Sequence, residues 1–351
     1  MKVKIIGAGS IGNHLAQACR RINWEVTVVD RDEEALRRMR EDIYPKRYGS
    51  WDESIKLSKS SEEPKGGFDV IFIGTPPDTH LAIAINCLEE DPKILHIEKP
   101  LCTPSLEGLV ELKEKNIIHK NTMVFTGYDH VVAESIECIA DLLKKNSFGN
   151  ILTMDVEFRE HWQGIFNAHP WLKGPHDSYL GFTNRGGGAS GEHSHALNLW
   201  QFFAHVLGWG KIKNVSALIE QVKTENYFYD SIFALNLVTD SGHKGRVIQD
   251  VITLPTRKWS RIQGDAGFIE WYCNGVPEGD LIKYRIGVEG EIIEKVFPKK
   301  RTDDFYRLVN HYQKILSGEL LYDDSQLKLE RGIETMEVIQ SALKDSGIMS
   351  K

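Results

Sequence analysis

A chain of 351 residues is long for one hydrophobic core and suits two domains of ordinary size. Its 41% hydrophobic and 26% charged residues exclude disordered and fibrous classes, and a net charge of -7 without any basic block excludes a chain that tracks a nucleic-acid backbone. No apolar run approaches the ~18 residues of a membrane span, and five cysteines, odd in number and never spaced CxxC, argue against a disulfide framework or zinc site and for a reducing, cytoplasmic setting.

In chain order, short β-branched runs alternate with helical periodicity up to about Gly127: KVKIIG, HLAQACRRI, EVTVVD, then EEALRRMRED. That rhythm predicts βαβ units and a parallel sheet, to which FDVIFIG, KILHIEK and NTMVFTG add strands. Residues 56–67, polar and ending Pro-Lys-Gly-Gly, read as a surface loop. Gly7, Gly9 and Gly12 form GAGSIG between the first strand and the first helix. The spacing suits a tight turn, close approach of backbone to a pyrophosphate, and anion binding at the helix N-terminus, where Ser10 and Ile11 offer main-chain N–H groups. Asp30 ends the second strand, where a carboxylate accepts hydrogen bonds from ribose hydroxyls and repels the 2′-phosphate of NADP. NAD is therefore the expected cofactor, with NADP disfavoured and the adjacent Arg31 tempering that preference.

After a helix around residues 132–145 the pattern changes. ILTMDVEFRE, VSALIEQV, SIFALNLVT, GRVIQDVIT, RIQGDAGFIEWY and IKYRIGVEGEIIEKVF are strand-like runs joined by short turns, which predicts an antiparallel sheet. Two helices, FYRLVNHYQKIL and LERGIETMEVIQSAL, close the chain. The expected fold is α/β: a Rossmann dinucleotide-binding domain over residues 1–127, then an α+β domain over residues 128–351 with a large, mostly antiparallel open sheet. Residues 158–185 lack periodicity and carry Trp162, His169, Trp171, Lys173, Tyr179 and Arg185. Such a stretch suits ring stacking and hydroxyl recognition of a polyhydroxylated small molecule, and it equally suits aromatic cover over a sheet or an oligomer interface. Apolar spacing through Leu199, Trp200, Phe203 and Leu207 predicts one helix over residues 190–207, on which Glu192, His195 and either Asn198 or Leu199 share a face. His193, His195 and Glu192 lack the further ligands of a metal site, so no metal is expected.

TPPDTH at residues 75–80, EKP at residues 98–100 and GGGASGEHSHALN at residues 186–198 together resemble the glucose-fructose oxidoreductase and inositol dehydrogenase family, Gfo/Idh/MocA. The resemblance extends over essentially the whole chain, including GDAG at residues 264–267. It implies an oxidoreductase acting on a hydroxyl carbon of a sugar, sugar derivative or cyclitol, a nicotinamide lying between the two domains, and a homodimer or homotetramer paired through the open sheet. It also implies that Thr75, Pro76, His80, Glu98 and Tyr128 lie at the cofactor, and that Lys99 touches both substrate hydroxyl and nicotinamide. An ammonium there eases loss of the alcohol proton and then stabilises the carbonyl oxygen. His195 matches the family's catalytic base. Glu192 takes a place usually held by aspartate, and Asn198 one where a later aspartate is common; Asn198 is expected at the substrate, beside Trp162, Trp171 and Arg185 of the aromatic-rich stretch. Two other readings of such a chain are a non-catalytic NAD-binding regulator and a glycosidase that recycles its NAD.

Overall fold

The computed structural model describes residues 1–167, 169 and 171–350, so two positions of the aromatic-rich stretch, Ala168 and Pro170, lie outside the described residues. The chain forms two compact units, and neither is continuous in sequence. The first comprises Met1–Cys102, Leu106–Asp129 and Arg301–Gly332, and the second Thr103–Ser105, His130–Lys300 and Ile333–Lys351. This differs from a single cut after Gly127, because the helix Arg301–Leu316 packs its buried Phe305, Leu308, Val309 and Tyr312 within the first unit. Among the described residues no helix is long and apolar enough to cross a membrane.

The first unit holds six strands, β1 (Lys2–Ile6), β2 (Glu25–Asp30), β3 (Lys56–Lys59), β4 (Val70–Ile73), β5 (Ile94–Ile97) and β6 (Met123–Thr126). All pair in parallel, in the order β3-β2-β1-β4-β5-β6. This is the doubly wound arrangement that places ligands beyond the carboxyl ends of the strands. VIFI of β4 and ILHI of β5 are wholly buried, as strands covered on both faces must be. Ile6 pairs with both Val29 and Ile73, so β1, β2 and β4 end level and deliver Gly7, Asp30 and Gly74 to one edge. The loop expected over residues 56–67 begins instead with β3. KLSK has no apolar alternation to betray it, and main-chain pairing from Thr27↔Lys56 to Asp30↔Lys59 makes it an edge strand.

The second unit holds an eight-stranded sheet of β7 (Ile151–Arg159), β8 (Ile212–Lys223), β9 (Phe228–Thr239), β10 (Lys244–Asp250), β11 (Arg257–Gly264), β12 (Gly267–Val276), β13 (Gly279–Ile286) and β14 (Ile293–Pro298). The order is β14-β13-β12-β11-β7-β10-β9-β8, antiparallel throughout except where β7 meets β10. β7 alternates by face: Met154, Val156 and Phe158 are buried. Asp155 and Glu157 point the other way and pair with Arg246 and Arg257 at 2.8 and 2.9 Å.

The single helix expected over residues 190–207 is interrupted. A short helix Gly188–Glu192 ends, His193 adopts φ -101°, ψ 20°, and a second helix, His195–Val206, begins. The Ser194 hydroxyl and N–H both donate to Gly191 O, at 2.8 and 3.3 Å, capturing the carbonyl that a continuous helix would offer to His195. Glu192 and His195 therefore stand on different helices, and the shared-face argument for them does not hold.

Candidate functional site

At the nucleotide edge of the first unit each glycine has its own reason. Gly7 adopts φ +111°, and a Cβ there would lie 2.7 Å from Gly74 O. A Cβ on Gly12 would lie 1.9 Å from Gly7 O, so helix and turn pack too closely for any side chain. At Gly9 a Cβ would meet nothing within 4 Å: its bare backbone borders open space. Asn13 reaches back from the helix Ser10–Arg21 and donates to Gly9 O at 2.8 Å and Ala8 O at 3.3 Å, fixing the turn from behind. The first turn of that helix has no acidic residue and its start has no side-chain cap, so its free N–H groups and dipole remain available to an anion.

Asp30 holds both neighbouring loops: one carboxylate oxygen accepts Ala8 N–H at 2.7 Å and the other Asp32 N–H at 2.9 Å. Each oxygen keeps a lone pair for a further donor. A cavity of about 510 Å³ opens here, lined by Gly7, Gly9, Asp30, Arg31, Thr75 and Pro76 among others. The open cradle at Gly9, the uncapped helix start and the carboxylate at the end of β2 fit the pyrophosphate and ribose of NAD.

Other residues expected at the cofactor are turned inward. His80 is fully buried, with Nε2 2.7 Å from Thr75 O and Nδ1 3.0 Å from Pro100 O, so it ties the loop after β4 to the loop after β5. Burial pushes its pKa down. Glu98 is 5% exposed, its Oε1 lies 3.0 Å from His96 Nε2, and a Cβ on Gly127 would fall 2.8 Å from Oε2. Tyr128 is likewise buried. The EKP and GYDH stretches thus contribute support through Glu98 and Tyr128, whereas Lys99, which follows β5, is only half-buried.

In the second unit His195 opens its helix, and its imidazole lies between two rings: His130, with centroids 4.4 Å apart, and Phe158, at 6.1 Å and nearly parallel. Sequence reading missed His130, although it ends the GYDH quartet that drew attention to Tyr128. It also missed Asp230 on β9, a wholly buried carboxylate whose signal is a charge inside the strand FYDSIF. Thr183 Oγ1 donates to Asp230 at 2.7 Å, Ser190 N–H at 2.6 Å and Ser190 Oγ at 3.0 Å. Desolvation nevertheless pushes the Asp230 carboxyl up to about 6. Gln249 adds donation to Ala189 O at 2.8 Å. Together they clamp the glycine-rich stretch that leads to His195.

Of the residues expected at the substrate, Trp171 and Arg185 stay half-buried, Trp171 edge-on to His169 and Arg185 over the Phe182 ring. Trp162 is 7% exposed, stacked on Phe166 and edge-on to Tyr229, and so braces the stretch instead of offering a free face. Asn198 is buried, donating to Thr335 Oγ1 at 3.2 Å, and anchors its helix to Leu329–Asp345.

No curated protein sequence matches the chain. Among solved structures, an inositol dehydrogenase homolog complexed with NAD+ from Azotobacter vinelandii superposes with a TM-score of 0.76 at 16% identity, over 99% of this chain and 95% of that one. An aldose-aldose oxidoreductase from Caulobacter crescentus complexed with glycerol gives 0.74 at 16% identity, over 99% and 98%. An oxidoreductase from Agrobacterium radiobacter in complex with NAD+, L-tartaric acid and magnesium gives 0.76 at 15% identity, over 99% and 96%. At these identities the likeness establishes a shared fold along nearly the whole chain. Residues 1–128 match the family model GFO_IDH_MocA, described as an oxidoreductase family, NAD-binding Rossmann fold. The resemblance read from the motifs is thereby borne out: residues 1–128 match the NAD-binding Rossmann domain of the Gfo/Idh/MocA oxidoreductase family.

Proposed function

We propose that the protein is an NAD-dependent dehydrogenase that moves a hydride between the nicotinamide and a hydroxyl carbon of a sugar, sugar derivative or cyclitol. The observation that carries this reading is the bare cradle at Gly9 beside Asp30, on the same strand-end edge as the half-buried Lys99. Structures of the same fold with NAD+, glycerol or tartaric acid bound support a polyhydroxylated substrate. Bound NAD supplies the hydride acceptor. Lys99 places its ammonium by the substrate oxygen, eases loss of the proton and stabilises the carbonyl oxygen that results. His195 takes the proton, held in orientation by the rings of His130 and Phe158. Trp171 and Arg185 bind the substrate.

On this reading residues 1–127 bind the cofactor, and residues 128–351 bind substrate and pair subunits across the open sheet face in a homodimer or homotetramer. The five unpaired thiols suit a cytoplasmic setting. The test is a panel of polyols, aldoses and sugar nucleotides, each with NAD and NADP, followed through reduced-cofactor absorbance. Turnover with net NADH formation is expected from one chemical class in the panel. A substrate consumed without net NADH, as in transient oxidation, would contradict the reading.

A further inference from the structure

β5 is buried along its whole length, and its one polar residue, His96, is completely inaccessible. Its ring packs against Phe72 and Tyr312, with centroids 5.0 and 5.7 Å away. Both ring nitrogens are engaged: Nε2 lies 3.0 Å from Glu98 Oε1, and Nδ1 lies 2.6 Å from the Tyr312 hydroxyl. The partners fix the proton positions. A carboxylate only accepts, so Nε2 carries the proton; in the neutral imidazole Nδ1 then accepts, and the Tyr312 O–H donates to it. Burial raises the Tyr312 pKa well above its usual 10, which keeps that hydroxyl protonated. The hydrogen bonds therefore run one way, from Tyr312 through His96 to Glu98. The other carboxylate oxygen of Glu98 accepts the main-chain N–H of Lys99 at 3.3 Å. A Cβ on Gly127 would lie 2.8 Å from Glu98 Oε2, so the glycine leaves open the space that the carboxylate occupies.

We propose that Tyr312 and His96 are positioning residues for Lys99. They lock the Glu98 carboxylate in one orientation, and the carboxylate fixes the peptide from which the Lys99 side chain departs. Tyr312 comes from the helix Arg301–Leu316, more than two hundred residues along the chain, and its ring also meets Phe125 at 4.8 Å. The return of that helix to the first unit completes the corner at EKP. The proposal rests on the reading of Lys99 as the group that meets the substrate hydroxyl.

Tyr312→Phe removes the hydroxyl and leaves the ring packing. His96→Gln can accept from Tyr312 and donate to Glu98, whereas His96→Leu can do neither. With the polyol or aldose that gives the fastest NADH formation in the panel, Tyr312→Phe and His96→Leu should lower kcat between about 10- and 100-fold, as small misplacements of a reacting group do. KM and NAD affinity should stay near wild-type, and His96→Gln should recover part of the loss. The histidine nitrogen spectrum of the wild-type protein should show His96 neutral and protonated at Nε2, with its Nδ1 resonance moving in Tyr312→Phe. Wild-type kcat in both Tyr312→Phe and His96→Leu, no advantage of Gln over Leu, or a proton on Nδ1 would each overturn the proposal. Lys99→Met, assayed alongside, separates the two levels. If it keeps normal kcat, the reading of Lys99 fails; if it is inactive while the relay variants are normal, only the relay fails.

Discussion

Replacing Asp230 by asparagine isolates the electrostatic cost of the clamp in front of His195. The asparagine fits the same hydrogen bonds: its carbonyl can accept Ser190 N–H, and its amide can donate to the hydroxyls of Thr183 and Ser190, which reverse their roles. What it lacks is a titrating charge. A carboxyl raised from 3.8 to about 6 in the folded state holds a proton that the unfolded chain has already released. Its contribution to stability therefore falls as pH rises between those two values and is level above them. That rise corresponds to about 3 kcal/mol. Urea unfolding followed by tryptophan fluorescence, from about pH 4 to about pH 7, should show the wild-type protein losing up to that amount relative to Asp230→Asn. A difference between the two proteins that stays level across this range, or that changes in the opposite direction, would refute the argument.

Gly9→Ala and Gly12→Ala should separate binding from folding. The first adds a methyl in open space and should weaken NAD at an unchanged melting temperature; the second, 1.9 Å from Gly7 O, should destabilise the first unit by roughly 3 kcal/mol or more. Asp30→Ala should narrow the preference for NAD over NADP by about tenfold, the equivalent of one lost charge-assisted hydrogen bond, as read by titration of both cofactors. NADP bound at least as tightly by the unaltered protein would sink that reasoning. Trp171→Ala and Arg185→Ala should raise substrate KM and leave NAD affinity unchanged; normal KM in both would assign the stretch a purely structural role.

What was legible in the sequence was local. Five strands of the first sheet announce themselves as apolar runs, and the need for glycine at position 12 follows from local spacing, since the atoms that exclude a side chain there belong to Gly7. β3 escaped because its pairing is carried by main chain beside β2, with nothing in KLSK to mark it. The break after Glu192 turns on one Ser194 hydroxyl competing for Gly191 O, which helical periodicity does not register. The inward turn of Trp162 and Asn198 depends on Tyr229 and Thr335, distant in sequence, as does the pairing of His96 with Tyr312, whereas Glu98 turns to His96 only two residues away. A motif identifies such residues without saying which of them face a ligand.

The central claim is that Lys99 and His195 carry the proton chemistry of a hydride transfer to NAD. The most direct measurement is kcat together with NAD affinity for Lys99→Met and His195→Asn, each shown to be folded by thermal melting. Both variants should bind NAD normally, because those contacts are assigned to the glycine turn and Asp30, and kcat should fall by about 10²- to 10⁴-fold in each. A folded variant that binds NAD and keeps near-normal kcat while chemistry limits turnover would contradict the role given to that residue.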